Sequence, residues 1–266
     1  NNCFFFDNGR VANSRVVQNY TFLPGPMCGR ADACGDMVDA NGHGTHVAGT
    51  VSARGDNLKG VSGVSWNTKI LPVRVLAADP RYGFSSFSLK GMEYAAGLLP
   101  NLQPPKKADV INLSLSLGDK CDAHTQDVID RVRAAGVIVI AATGNDKYGL
   151  KPAVKSPANC DGVVAVSALQ PDGEIAYYSH VGSAVDVSAP GGRGNGLIGT
   201  DVFSTDISRD GSGPVFDQYR EEVGTSMASP HVAGVAALMK SVRSSLTPIE
   251  FDALLAAGSL TDERGA

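Results

Sequence analysis

No apolar run in this 266-residue chain approaches the ~20 residues a membrane-crossing helix needs. The longest, Val137 to Ala142 with its flanks, falls far short. Charge of one sign is also missing. Lys and Arg number 23 and Asp and Glu 27, a net charge of -4. No basic face is forced by that balance, which argues against nucleic acid as the main partner. Cysteine is scarce, with five residues, Cys3, Cys28, Cys34, Cys121 and Cys160. None stands in a CxxC or Cys/His spacing, so no zinc site is expected. Internal repeats and low-complexity linkers are absent. The chain opens Asn-Asn-Cys, with neither an initiator Met nor a signal-peptide pattern, and is expected to be a mature or trimmed form.

What is there is globular. Hydrophobic residues make up 43% and charged residues 19%, unlike a disordered chain. The length suits one large domain. The 31 glycines imply tight turns and close backbone approaches. The cysteines allow two disulfides with one thiol left over, which favours an oxidising compartment; five buried thiols are the alternative.

Short runs of β-branched and aliphatic residues alternate with helical stretches. The runs are Cys3–Phe6, Ile70–Leu76, Val110–Leu115, Val137–Ala142, Val163–Val166 and Val185–Val187. Most are apolar on consecutive positions, as in strands covered on both faces. Helices are predicted over His43–Ala53, Phe87–Leu99, Asp122–Ala135, Ser226–Val242 and Thr247–Ala257. The last has a Thr N-cap and Pro at its first position. This alternation predicts an α/β fold with a parallel sheet and helices on both faces. Leu23–Asn41 and Gly191–Asp217 read as long loops.

Three segments carry chemistry. Asn41-Gly-His-Gly-Thr-His-Val-Ala-Gly49 sets a histidine at the mouth of a helix, between glycines. Gly224-Thr-Ser-Met-Ala-Ser-Pro-His-Val-Ala-Gly234 sets a serine at the start of a small-residue helix, where backbone N–H groups are unpaired. Val137-Ile-Val-Ile-Ala-Ala-Thr-Gly-Asn145 is a buried strand that delivers an asparagine at its C-terminal end, the edge at which open α/β sheets bind ligands. Acyl transfer needs these parts. A serine hydroxyl requires a base, and histidine, with a pKa of ~6.5, is suited to the task. A carboxylate must orient the imidazole. Two donors must meet the oxyanion.

These segments resemble the His, Ser and oxyanion-Asn motifs of the subtilisin-like serine proteases, the subtilases, in that family's order. Val110–Leu115 and Gly60–Leu76 extend the resemblance over most of the chain. Ser156-Pro-Ala-Asn-Cys-Asp-Gly162 and Tyr177-Tyr-Ser179 also have counterparts in secreted bacterial members. The resemblance implies a three-layer subtilisin-like fold with a mostly parallel central sheet. It implies a single peptidase domain over 1–266, shortened at both ends relative to the family. The activity implied is a serine endopeptidase working through an acyl-enzyme. His43 would be general base, Ser226 nucleophile and Asn145 side-chain donor to the oxyanion, with the Ser226 N–H as second donor.

The third triad member is implied at Asp7, in Cys3-Phe-Phe-Phe-Asp7-Asn8-Gly9; Asn8 departs from the family's Thr or Ser. Asp36 and Asp39, in the loop before His43, are rivals. The substrate rims would be Tyr82-Gly83-Phe84 and Ser114-Leu115-Ser116, with a pocket between Ser114–Ser116 and Ala142–Gly144. Ser116-Leu117 departs from the family's Gly after Ser-Leu. No cofactor is implied for catalysis. A structural calcium is expected in Gly55-Asp-Asn-Leu-Lys-Gly60, with Asn57 as its side-chain ligand. Cys121 and Cys160 match positions bridged in secreted relatives, and Cys28 with Cys34 would close a short loop, leaving Cys3 over. Partners implied are an extended polypeptide substrate and a pro-segment or protein inhibitor, with no membrane, for a secreted monomer. His46 and His231 read as packing or capping residues; His124 and His180 read as loop or surface residues. Trp66 is given no role. The alternatives are a catalytically silent binding module of the same fold and a serine esterase.

Overall fold

The consecutive apolar runs form the parallel strands of one sheet. In a computed structural model the described residues are 20–22, 39, 41–76, 85–146, 148, 150, 152–207 and 217–261, with the backbone of 2–5. The sheet strands are β1 (Asn2–Phe5), β2 (Tyr20–Thr21), β3 (Lys69–Arg74), β4 (Val110–Leu113), β5 (Ile138–Ala142), β6 (Val164–Leu169) and β7 (Val187–Pro190). Their spatial order is β2-β3-β1-β4-β5-β6-β7, and every pairing is parallel.

Among the described residues five helices cover the two faces: α1 (His43–Ser52), α2 (Ser85–Ala95), α3 (Ala123–Ala134), α4 (Thr225–Val242) and α5 (Pro248–Ala256). Strand side chains alternate between two cores. Val110, Ile138, Ile140 and Val164 pack with Val47 of α1, Met227 and Ala233 of α4 and Phe251 of α5. Ile111, Leu113, Val139 and Ala141 pack with Met92 of α2 and with Val128 and Ile129 of α3. The result is three layers. Burying one such side chain stabilises the fold by about 1.5–3 kcal/mol.

Local chemistry sets the helix ends. Asp122 accepts the Thr125 N–H at 2.7 Å and starts α3. Thr247 and Glu250 form a reciprocal capping box at α5, behind Pro248. Cys121 and Cys160 are bridged, with Cα atoms 5.2 Å apart. Cys28, Cys34 and the side chain of Cys3 lie outside the described residues, as does nearly all of the predicted loop Leu23–Asn41.

The other predicted loop, Gly191–Asp217, is corrected. It contains β8 (Val202–Ile207), which pairs antiparallel with β9 (Asp217–Glu222). The hairpin packs on α1. Ser204 Oγ donates to His46 O and Thr205 Oγ1 to Thr45 O, both at 2.8 Å. A Cβ on Gly49 would fall 2.1 Å from Thr205 Oγ1, so this close approach requires glycine. Buried His46 donates from Nε2 to Val202 O at 3.0 Å and Arg220 O at 3.1 Å, holding both hairpin strands. Its role is packing, as predicted. His180 lies in a loop, as predicted, but it is buried, 1% exposed, rather than at the surface.

Candidate active site

Parallel neighbours leave a sheet by the same edge. β4 and β5 are in register, Leu113 opposite Ala141, so Ser114–Ser116 and Thr143–Asn145 emerge together at the C-terminal edge. The start of α4 meets them there. Between them lies a cleft of about 240 Å³. Leu115 and Ser116 form one wall, and Ala142, Gly144 and Asn145 the other. Thr225 and Ser226 stand at the helix start, and Lys155 completes the lining.

Hydrogen bonds fix which end of the Asn145 amide faces the cleft. The Thr225 backbone N–H donates to Asn145 Oδ1 at 2.9 Å, and the Thr225 hydroxyl donates to the same atom at 3.1 Å. An N–H needs an oxygen acceptor, so Oδ1 points at Thr225 and the NH2 end is left for the cleft. The Thr225 hydroxyl also accepts the Gly144 N–H at 3.2 Å. Gly144 itself has φ 110. A Cβ there would lie 2.9 Å from His180 Nδ1. His180 holds this turn: its N–H donates to Gly144 O at 3.0 Å, its carbonyl accepts the Thr143 hydroxyl at 3.1 Å, and Nδ1–H donates to Ala153 O at 3.0 Å.

Ser226 is the second residue of α4, where a backbone N–H has no acceptor within the helix. Its Oγ lies 3.5 Å from Ser114 O, and its carbonyl accepts the Ser114 hydroxyl at 2.8 Å. Asn112, buried in β4, donates from Nδ2 to Ser114 Oγ at 3.0 Å and accepts the Ser229 hydroxyl at 2.6 Å. This buried polar chain ties β4 to the first turns of α4.

His43 opens α1 and is half-buried. Asp39 caps that helix from outside. Its Oδ1 accepts the N–H groups of Asn41 at 3.0 Å and Gly42 at 2.8 Å. Its Oδ2 accepts the Thr45 N–H at 3.0 Å and the Thr45 hydroxyl at 2.8 Å. A carboxylate at a helix N-terminus is favourable through both bonds and dipole. Helices α1 and α4 pack together. Burial pushes the imidazole of His46 below its usual pKa, against the opposing charges of Glu222 and Asp206. His231 is also lowered by burial, and to a smaller extent by His46.

Of the predicted site residues, Ser226, Asn145, Leu115, Ser116 and Gly144 meet in the cleft, and Ser114 is bonded to Ser226. His43 does not line it but begins the helix packed on α4. Asp7, Asp36 and Gly83 lie outside the described residues. Asn57 is in the loop after α1, away from the cleft lining, and its Oδ1 accepts the Lys59 N–H at 3.1 Å. Among the described residues no group of three His, Cys, Asp or Glu could hold a metal. Sequence reasoning missed Asn112, Thr225, His180 and Lys155. Only Asn112 had a signal, as the one polar residue in an otherwise apolar strand.

Comparison with known proteins bears on the same residues. The subtilase family model matches residues 29–263. An extracellular basic protease of Dichelobacter nodosus is 38% identical over 222 residues, 80% of this chain and 34% of its own. Subtilisin DY of Bacillus licheniformis is 38% identical over 205 residues, 77% of this chain and 65% of its own. The chain thus spans about a third to two thirds of the length of these relatives. Among solved structures, a protease from Pseudoalteromonas arctica superposes with a TM-score of 0.86 at 34% identity, covering 100% of this chain and 83% of that one. A cold-adapted subtilisin-like serine proteinase gives 0.70 at 30% identity, over 96% and 80%. The Ser and Asn segments that meet in the cleft, the His segment that opens α1 and the three-layer sheet around them thus stand within a match along nearly the whole chain, which belongs to the subtilase family.

Proposed function

We propose that this chain is a secreted serine endopeptidase that cleaves extended polypeptides through an acyl-enzyme. The observation that carries the reading is the Asn145 amide, held through Oδ1 by Thr225 and so presenting Nδ2 beside Ser226. The name of the Dichelobacter relative supports action outside the cell.

The chemistry follows from the residues. The Ser226 oxygen attacks the scissile carbonyl carbon while His43 takes the hydroxyl proton. The carbonyl electron pair moves onto oxygen, where Asn145 Nδ2 and the Ser226 N–H donate to it. Collapse expels the amine, which receives the proton from His43, and leaves the acyl group on Ser226. Water repeats the cycle and frees the acid. The carboxylate assigned to the imidazole is Asp7. In support, β1 ends at Phe5, runs parallel beside β4 and so leaves the sheet at the cleft edge. The committed oxygens of Asp39 speak against that rival. Ser114–Ser116 and the segment at Gly83 serve as rims that bind the peptide through its main chain.

Calcium is kept as a structural proposal. Asn57 Oδ1 retains a second lone pair beyond the bond from Lys59, and loop carbonyls would complete an oxygen shell. The ion would stiffen the loop. EDTA should then lower the melting temperature; an unchanged midpoint removes the proposal.

The test of function is reaction with a fluorophosphonate probe together with peptide turnover. The wild-type chain should do both. Ser226→Ala should do neither, and Asn145→Ala should keep weak turnover. Near-wild-type turnover in Ser226→Ala refutes the mechanism, and probe labelling without cleavage of any peptide refutes the endopeptidase.

A further inference from the structure

We propose that Lys155 sets substrate choice in the cleft, selecting an acidic side chain, glutamate above all, on the residue that supplies the scissile carbonyl. The inference rests on the endopeptidase reading and names the substrate class of the same site.

Among the described residues, Lys155 is the one charged residue lining the cleft. Its backbone is pinned between the two walls. The Lys155 N–H donates to Thr143 O at 3.0 Å, at the end of β5. The next residue, Ser156, donates to Gly118 O at 2.9 Å and accepts the Leu117 N–H at 2.7 Å. Residues 155–156 therefore bridge the segment that follows β4 and the segment that follows β5, and Lys155 sits where those walls are joined. A carbonyl oxygen held by Asn145 and the Ser226 N–H has its own side chain as the nearest group to enter the space these residues line. That side chain would pass Leu115 and Ala142, which are apolar and buried, and meet an ammonium group.

The ammonium is not consumed by the protein. Nζ lies 3.4 Å from Asp119 Oδ1, and the Asp119 side chain is 87% exposed. Such an exposed pair is weak and screened by salt. An ammonium carries three donors, so a substrate carboxylate can share it or displace Asp119. Glutamate combines an apolar stem, which suits the walls, with a terminal negative charge. Lysine or arginine in the same place meets like-charge repulsion.

The experiment uses four peptides identical except at the residue before the cut: Glu, Gln, Lys and Leu. For the wild-type chain kcat/KM should favour Glu over Lys by at least about tenfold (~1.4 kcal/mol) and Glu over Gln by a smaller factor. The Glu-to-Gln ratio should shrink at ~1 M salt, where the screening length is only ~3 Å. Lys155→Met should erase that ratio and Lys155→Glu should invert it, whereas Asp119→Asn should raise it. A wild-type ratio of Glu to Lys at or below one overturns the inference, as does a Glu-to-Gln ratio unchanged in Lys155→Met. The wild-type ratios and their salt response decide the matter alone if the Lys155 variants do not fold. Cleavage of the Leu peptide without charge discrimination defeats only this inference. Failure to cleave any of the four, Leu included, defeats the peptidase reading and this inference with it.

Discussion

Replacing Thr225 by Val tests how Asn145, the proposed oxyanion donor, is held. The Thr225 hydroxyl makes two bonds, donating to Asn145 Oδ1 at 3.1 Å and accepting the buried Gly144 N–H at 3.2 Å. Valine keeps the shape and loses both. The stranded Gly144 N–H should cost about 1–3 kcal/mol of stability. The catalytic effect is bounded above by losing the donor altogether. In subtilisin, itself a subtilase, removing the oxyanion-hole asparagine costs ~10²–10³ in kcat. Here the Thr225 backbone N–H still grips Oδ1 at 2.9 Å, so about half the anchoring remains. We therefore expect kcat to fall by about tenfold, or ~1.4 kcal/mol of transition-state stabilisation, with KM nearly unchanged. Thr225→Ser, which keeps the hydroxyl, should restore most of it. The assay is steady-state cleavage of a fluorogenic peptide alongside chemical denaturation. If Thr225→Val retains wild-type kcat, or loses kcat/KM only through KM, the hydroxyl does not position the amide and the reasoning is refuted.

Two other perturbations follow from the fold. Cys121 and Cys160 are 39 residues apart in sequence, so Cys121→Ser should remove about 4 kcal/mol of stability on the chain-entropy account. An unfolding midpoint indifferent to reductant and to that substitution would contradict it. The lowered pKa values of His46 and His231, caused first by burial, fix the sign of a pH effect. Each imidazole binds its proton more readily in the unfolded chain, whose pKa is ~6.5. Their contribution is thus fully present above ~6.5 and is lost as pH falls from there through the lower folded values. Denaturation midpoints measured from about pH 8 to about pH 5 should decline in the wild type and flatten when both residues are changed to Gln. The same decline in the double variant would assign it to other groups.

Where the determining interactions are local, the fold was legible. Asp122 with Thr125, and Thr247 with Pro248 and Glu250, mark helix starts within four residues. The apolar runs marked the buried parallel strands because both faces are covered. The β8–β9 hairpin was hidden because Ser204 and Thr205 are polar for a tertiary reason: their hydroxyls bond the carbonyls of α1, so the strand lacks the pattern of a water-facing edge. The burial of the loop residue His180 was missed for the same kind of reason. Its burial is made by the turn at Gly144 and by Ala153, far away in sequence.

By itself, the order of residues determined the candidate nucleophile, base and oxyanion amide, since each comes in a local segment, the serine and histidine at glycine-flanked helix starts and the asparagine just after an apolar strand. Only the tertiary structure decided which end of the Asn145 amide faces the cleft and that a lysine from residue 155 joins the lining. Those outcomes depend on hydrogen bonds between groups up to about eighty positions apart, and no local pattern encodes which distant donor will meet which acceptor once the sheet has closed.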